Sequence, residues 1–132
     1  MSRSQPRILV VDDDAACQAV LEAILADDYE VDLAANGQEA LDRCAAREPD
    51  LIILDLDMPV LDGREFIERH RAVGHAPTPI LVVSAVSGVR TMELERAVRG
   101  IIPKPFNVDE ITRTVAALLQ RETERRGGDR WG

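Results

Sequence analysis

The sequence predicts an α/β domain in which helices cover both faces of a five-stranded parallel sheet. Short, mostly aliphatic runs alternate along the chain with amphipathic stretches of helical spacing. Most of the expected strands are solidly apolar or very short, as strands covered on both faces should be. Repeated βα units with right-handed crossovers give a doubly wound, open sheet, which carries its functional residues at the carboxyl ends of the strands.

The first half of the chain contains two βα units. Residues 8–11 form a continuous apolar run and are expected to be a buried strand, and residues 30–34 alternate like a second, shorter one. Asn36 followed by Glu39 resembles an N-cap with its capping-box acid at the start of a second helix. Inward-facing positions are expected at Cys17, Val20, Leu21, Ile24 and Leu25 in the first helix, and at Ala40, Leu41 and Cys44 in the second.

The second half repeats the pattern. Apolar runs at 51–54 and 80–83 and a stub at 101–102 are the remaining strands, so that five helices accompany five strands. Helices are expected near 64–71, at 91–98, and after an N-cap at Asn107. The last helix should bury Ile111, Val115, Leu118 and Leu119.

Composition bounds the class of protein. The chain has 132 residues, a net charge of −8 and a pI near 4.7, which suits one domain. An acidic chain is a poor reader of nucleic-acid phosphates, so we expect no nucleic-acid binding by this domain. No apolar run approaches the ~20 residues of a membrane span, and residues 1–6 lack a signal-peptide core. We expect a cytoplasmic domain at 7–121, with an extension at 1–6 and a helix end and tail at 122–132.

The cysteines and histidines give no clear sign of a site. Cys17 and Cys44 lie at apolar positions of expected helices and are interpreted as free thiols in a reducing cytoplasm. Neither cysteine is near a histidine in the sequence, so a zinc site is not expected. His70 and His75 are isolated and are expected to lie on the solvated surface.

Chemistry-bearing residues follow the expected strands. Asp12, Asp13 and Asp14 follow the first, Asp55 and Asp57 follow the third, Ser84 ends the fourth, and Lys104 follows the fifth. Clustered carboxylates repel one another, and such a cluster favours a hard divalent cation such as Mg²⁺. Two of the acids have a plainer interpretation: Asp14 as a helix N-cap, and Asp62 as part of a turn before the third helix.

These segments resemble the receiver domain of bacterial two-component response regulators, the CheY-like superfamily. The resemblance extends from about residue 7 to about residue 121 and includes all the strand-end positions in order. It is carried by ILVVDDD at 8–14, DLIILDLDMP at 50–59, PILVVSA at 79–85 and PKPF at 103–106.

The resemblance implies a flavodoxin-like fold with strand order 2-1-3-4-5 and a function as a phosphoacceptor. Asp55 matches the residue that takes a phosphoryl group from a phosphohistidine on a histidine kinase or phosphotransfer protein. Asp12, Asp13, Asp55 and the backbone carbonyl of Asp57 match the ligands of Mg²⁺ or Mn²⁺, with Asp12 acting through water. Ser84 matches the hydroxyl switch residue and Lys104 the lysine that contacts the phosphoryl group. A downstream protein, which the sequence does not name, should read the face at about 91–121.

Two positions depart from the family pattern. Ile101 stands where the family usually has an aromatic residue, which puts the usual aromatic rotamer switch in doubt. Asp57 places a carboxylate two residues after the phosphoacceptor, where it is expected to change the rate at which the acyl phosphate hydrolyses.

Two alternatives stay open from the sequence. Asp55-Leu56-Asp57 also resembles the nucleophile motif of haloacid-dehalogenase-like phosphatases, although there the nucleophile follows the first strand. The chain is expected to be a stand-alone regulator, and the alternative is a receiver fragment of a larger regulator with an output domain.

Overall fold

The computed structural model describes residues 5–56, 58, 62–72, 78–85 and 98–125. Its elements alternate as β1 Arg7–Val11, α1 Ala15–Leu25, β2 Glu30–Ala34, α2 Gly37–Ala46, β3 Leu51–Leu54, α3 Gly63–Ala72, β4 Ile80–Ser84, β5 Val98–Pro103 and α4 Val108–Arg125. The five strands form one parallel sheet in the order β2-β1-β3-β4-β5. The expected fold class and strand order are confirmed.

Alternating strand residues build a separate core on each face of the sheet, because successive side chains point to opposite faces. On one face, residues such as Leu9, Ile52 and Val82 pack with side chains of α2 and α3. On the other, residues such as Val10 and Ile53 pack with side chains of α1 and α4. Burial on both faces explains why β1, β3 and β4 are solidly apolar in sequence.

Side-chain caps begin the helices at the expected places. Asp14 Oδ1 accepts a hydrogen bond from Ala16 N at 2.9 Å, and Asn36 Oδ1 accepts one from Glu39 N at 2.9 Å. Glu39 Oε1 in turn accepts from Ala35 N at 2.8 Å, the residue just before the cap, so the arrangement is a capping box displaced by one residue. Asn107 caps α4 in the same way, through Glu110 N, and Asp62, which was expected only as part of a turn, caps α3 through Glu65 N.

Two helix predictions need correction. Val20, predicted to face inward, is 47% exposed, while Leu21 and Leu25 are buried. The buried stripe of α1 is narrow, and Val20 lies about a third of a turn from its centre. Val98, predicted to end a helix, begins β5, and that strand is longer than the expected stub at 101–102. The rest of the predicted helix, at 91–97, lies outside the described residues, which contain four helices.

The expectation for His70 was also wrong. His70 is only 5% exposed, because it shares the inward stripe of α3 with Phe66 and Ile67. His75 lies outside the described residues. Cys17 and Cys44 are free thiols, as expected. Among the described residues, none of the helices has the length and apolar character needed to cross a membrane.

Candidate functional site

The candidate site lies at the carboxyl edge of the sheet, where the backbone pairing extends one residue beyond the strands. Asp12 N donates to Ala34 O at 3.0 Å, and Asp55 N donates to Val11 O at 2.9 Å. Lys104 N donates to Ser84 O at 2.9 Å, and the peptide bond after Lys104 is cis. These main-chain hydrogen bonds hold the first residue after β1, β3 and β5 in register, so their side chains converge.

Three carboxylates meet at this edge. One oxygen each from Asp12, Asp13 and Asp55 lies within 4.8 Å of the other two. Asp12 and Asp55 are buried, whereas Asp13 is exposed. Carboxylate oxygens gathered at this spacing are the donor set that hard divalent cations such as Mg²⁺ take, so these residues fit such an ion. The exposed Asp13 gives the cluster an open side toward solvent.

Lys104 supplies positive charge to the same cluster. Its Nζ donates to Asp12 Oδ2 at 2.9 Å and lies 3.6 Å from Asp55 Oδ2. Burial by itself would lower the pKa of Lys104, but the hydrogen bond to Asp12 and the charges of Asp12 and Asp55 outweigh it and raise this pKa to about 12. The ammonium is therefore charged at every physiological pH. The lysine side chain is long enough to reach from the end of β5 to the Asp55 carboxylate at the end of β3.

Ser84 holds the Asp55 carboxylate from the neighbouring strand. The fully buried hydroxyl donates to Asp55 Oδ1 at 2.8 Å. Leu56 N lies 3.4 Å from the same hydroxyl oxygen and donates to it. Asp55 thus has one oxygen fixed by Ser84 while Lys104 approaches the other. The predicted residues Asp12, Asp13, Asp55, Ser84 and Lys104 are all brought together, and Asp57 lies outside the described residues.

Comparison with known proteins agrees with this geometry. A family model described as the response regulator receiver domain matches residues 8–116.

The chain belongs to this family.

Individual receiver-containing proteins show the same relationship. The response regulator MprA of Mycolicibacterium vanbaalenii is 42% identical over 120 residues, covering 89% of this chain and 52% of MprA. The Vibrio cholerae chemotaxis protein CheY4 is 31% identical with a TM-score of 0.79, covering 86% of this chain and 98% of that one. The receiver domain of Francisella response regulator 1452 is 27% identical with a TM-score of 0.80, covering 89% of this chain and 99% of that one. The chain thus spans about half the length of the curated relatives it matches.

Family membership decides the class of protein. A receiver domain is a signalling domain of two-component systems and not a classical enzyme. This favours the receiver interpretation of the Asp55 segment over the phosphatase alternative. The strand order changes direction between β1 and β3, and a doubly wound sheet carries its site at that point.

Sequence reasoning missed two residues that support the receiver site. Gln18 Nε2 donates to Asp12 O at 2.7 Å and to Ala34 O at 3.0 Å, which ties α1 to the ends of β1 and β2. Cys17 lies against the same acidic group, where burial and then a hydrogen bond to Asp12 raise its pKa to about 12. Their position in the sequence was the available signal. Cys17 and Gln18 lie one turn after the Asp14 cap, and α1 starts so soon after β1 that its first turn stays near the end of that strand.

The position that departs from the receiver pattern on β5 is filled by an aliphatic side chain. Ile101 is partly buried and packs against the core formed with α2 and α3. It pairs with Val82 of β4 in the parallel ladder. A branched aliphatic side chain in this place cannot swing as a planar ring does. Ala85 is exposed, and the rest of the loop that follows β4 lies outside the described residues.

Proposed function

We propose that this receiver domain takes a phosphoryl group from a phosphohistidine onto Asp55, with Mg²⁺ or Mn²⁺ at the adjacent acidic cluster. The observation that carries the proposal is the position of the Asp55 carboxylate. It lies between a serine hydroxyl at 2.8 Å and a lysine ammonium at 3.6 Å, next to two further aspartates. Phosphoryl transfer depends mainly on positioning and on neutralising charge, and this arrangement offers both.

The metal ligands in this proposal are Asp13 and Asp55 directly and Asp12 through water. Both Asp12 oxygens already accept hydrogen bonds, from Asp14 N at 2.9 Å and from Lys104 Nζ at 2.9 Å, which supports an indirect role. The family pattern adds the backbone carbonyl of Asp57. A bound divalent cation would supply positive charge next to the phosphoryl oxygens. The side chain of Asp57 is proposed to alter the lifetime of the phosphorylated state, and Asp57→Asn should then change its half-life.

The chain's own residues perform the remaining steps. A carboxylate oxygen of Asp55 forms a bond to phosphorus while the bond from phosphorus to the donor imidazole nitrogen breaks, and the released imidazole takes up a proton. Lys104 neutralises one phosphoryl oxygen, and the Ser84 hydroxyl exchanges its bond to Asp55 for a bond to another phosphoryl oxygen. Water later cleaves the acyl phosphate, so the domain catalyses only its own phosphorylation and dephosphorylation.

The signal is proposed to leave through protein contacts. The phosphoryl group biases a receiver between two arrangements, and the chain at about 91–121 forms the face that a downstream protein reads. The donor is a histidine kinase or a histidine phosphotransfer protein, in the cytoplasm. Residues 7–121 form the receiver in this proposal, flanked by 1–6 and 122–132. The curated relative MprA is about twice as long as this chain, and the proposal concerns the receiver part alone.

The direct test is self-phosphorylation by a small donor. The purified chain is incubated with Mg²⁺ and acetyl phosphate, and its intact mass is followed. The wild type should gain one phosphoryl group, and Asp55→Asn should gain none. Asp42→Asn is the matched control, because Asp42 is an exposed aspartate of α2 whose side chain accepts a 3.3 Å hydrogen bond from Gln38 of the same helix.

Two results would contradict the proposal. One is an unchanged mass gain in Asp55→Asn, which would place the phosphoryl group elsewhere. The other is steady turnover of a phosphate monoester such as p-nitrophenyl phosphate without any labelled intermediate, which would favour the phosphatase class. Omitting Mg²⁺ or adding a chelator should slow labelling of the wild type, since the three carboxylates then lack their counter-ion.

A further inference from the structure

A second cluster of ligand-type side chains lies away from the phosphoryl site. It joins Cys44 of α2, Glu48 of the α2–β3 loop and His70 of α3, with one ligand atom of each within 4.8 Å of the others. Glu48 precedes β3 and its neighbour Thr78 precedes β4, so the cluster lies toward the amino edge of the sheet. Asp55 lies at the opposite, carboxyl edge.

The hydrogen bonds of this cluster leave one carboxylate oxygen unused. His70 Nε2 lies 2.8 Å from Glu48 Oε2, and the Thr78 hydroxyl donates to that same oxygen at 2.6 Å. The other oxygen, Glu48 Oε1, is enclosed and has no hydrogen-bond partner within the described part of the chain. A simple ion pair between Glu48 and His70 does not account for it, because a buried unpaired carboxylate oxygen is costly.

The side chains around the cluster are held in place. Cys44 and His70 are buried, and the His70 ring stacks on the fully buried Phe66 with centroids 5.5 Å apart. Thr78, itself buried, orients the Glu48 carboxylate. Outer hydrogen bonds of this kind fix metal-ligating side chains in known sites. The three ligands come from three separate segments, so an ion bound to them would join α2, the loop and α3.

We propose that Cys44, Glu48 and His70 bind a zinc ion. Thiolate, imidazole and carboxylate are the ligand types of Zn²⁺, and three protein ligands leave a fourth position for water. With bonds of ~2.0–2.3 Å and tetrahedral angles, neighbouring ligand atoms lie about 3.3–3.6 Å apart. His70 Nε2 lies 2.8 Å from Glu48 Oε2, and no two of the three ligand atoms are more than 4.8 Å apart. Changes of about 1.5 Å or less in these separations give the tetrahedral spacing.

The thiol provides the clearest signature of binding. Burial and then the Glu48 charge raise the pKa of Cys44 to about 12, so the thiol is protonated at neutral pH. Metal ligation requires the thiolate, so binding releases that proton and strengthens as pH rises. The carboxylates at the other edge offer oxygen atoms, and the thiol that lies beside them is Cys17. A sulfur-dependent signal that Cys44→Ser removes and Cys17→Ser keeps therefore separates the two sites.

The test titrates the full chain with Co²⁺ in buffer that contains excess Mg²⁺ to occupy the acidic cluster. One equivalent of Co²⁺ should produce a thiolate-to-cobalt charge-transfer band, and one equivalent of Zn²⁺ should abolish it by displacing the cobalt. Cys44→Ser should lose the band, and Thr78→Val should weaken metal binding roughly 10–100-fold. Cys17→Ser is the matched control and should keep the band, because Cys17 is the other thiol and lies at the phosphoryl edge.

The wild type provides a measurement that does not depend on any variant folding. X-ray absorption of the zinc-loaded, Mg²⁺-saturated chain should show one sulfur neighbour at ~2.3 Å. A shell of oxygen and nitrogen alone would overturn the proposal. So would the absence of a cobalt band, a band that survives Cys44→Ser, or a band that Cys17→Ser removes.

Discussion

The contact between Lys104 and Asp12 connects the stability of this domain to its site most directly. Lys104 Nζ lies 2.9 Å from Asp12 Oδ2, and the side chains are 27% and 3% exposed. Lys104→Met keeps an unbranched side chain but removes its charge. The buried carboxylates of Asp12 and Asp55 would then face each other without a cation, so we expect the variant to be less stable in the absence of metal.

The size of the effect follows from the geometry. Two unit charges 2.9 Å apart attract by about 6 kcal/mol at an effective dielectric constant of ~20. Desolvation of the pair cancels most of this attraction, and a hydrogen bond to a charged group contributes about 1.5–3 kcal/mol net. Because Lys104 keeps part of its contact with water, we expect a coupling energy in the lower part of that range, about 1.5–2 kcal/mol.

A double-mutant cycle measures this coupling. Urea unfolding of the wild type, Lys104→Met, Asp12→Asn and the double variant is compared in chelator-containing buffer at low salt. The exposed pair of Arg47 and Glu30, 3.8 Å apart, is the control, and its cycle should give no more than about 0.5 kcal/mol.

The pH dependence has a defined sign. The folded-state pKa of Lys104, about 12, is above the ordinary value of 10.5, so its contribution is complete below pH 10.5 and is lost as pH rises through 12. A Lys104–Asp12 coupling below about 0.5 kcal/mol at neutral pH would refute the reasoning, because the two variants would then act independently.

Three further predictions concern the rest of the fold. Asn36→Ala removes the cap of α2 and should lower the free energy of urea unfolding by about 1 kcal/mol, whereas no change would show the cap to be dispensable. Gly100→Val should cost about 1–3 kcal/mol, since even a Cβ would lie 3.2 Å from Leu81 Cδ1; a variant as stable as wild type would contradict this. Burial raises the pKa of Cys44 from 9.0 to about 12, which reduces the thiolate fraction at pH 8 about 10³-fold. Cys44 of the folded protein should therefore react with a thiol reagent about 10³-fold more slowly than Cys44 of the urea-unfolded chain, and equal rates would argue against its burial.

The strands and most helix boundaries were predictable because local patterns determine them. Residues 30–34 and 51–54 were predicted with the bounds that the structure has. Caps at Asp14, Asn36 and Asn107 act on backbone groups two or three residues away, so short-range sequence is enough to identify them. The convergence of Asp12, Asp55, Ser84 and Lys104 was also predictable, since parallel strands end at one edge of the sheet.

Predictions failed where packing between distant elements decides the outcome. Val20 fits the helical spacing of an inward stripe, but the sheet covers only the narrower face that Leu21 and Leu25 occupy. His70 seemed isolated because its partner Glu48 is 22 residues away. The four-residue spacing between Phe66 and His70 indicated that His70 shares the buried face of the helix. Helical periodicity does not identify the acidic residue that a buried histidine contacts.

The sequence by itself determined the class of this protein. Aliphatic runs followed by Asp12, Asp13, Asp55, Ser84 and Lys104 specify a parallel sheet with an acidic edge and a lysine, because strand direction alone brings such residues together. Only the tertiary structure decided how the hydrogen bonds divide among them. It also decided that Cys44, Glu48 and His70 meet, since that contact depends on α2 packing against α3, a choice made by the whole core and not by any local pattern.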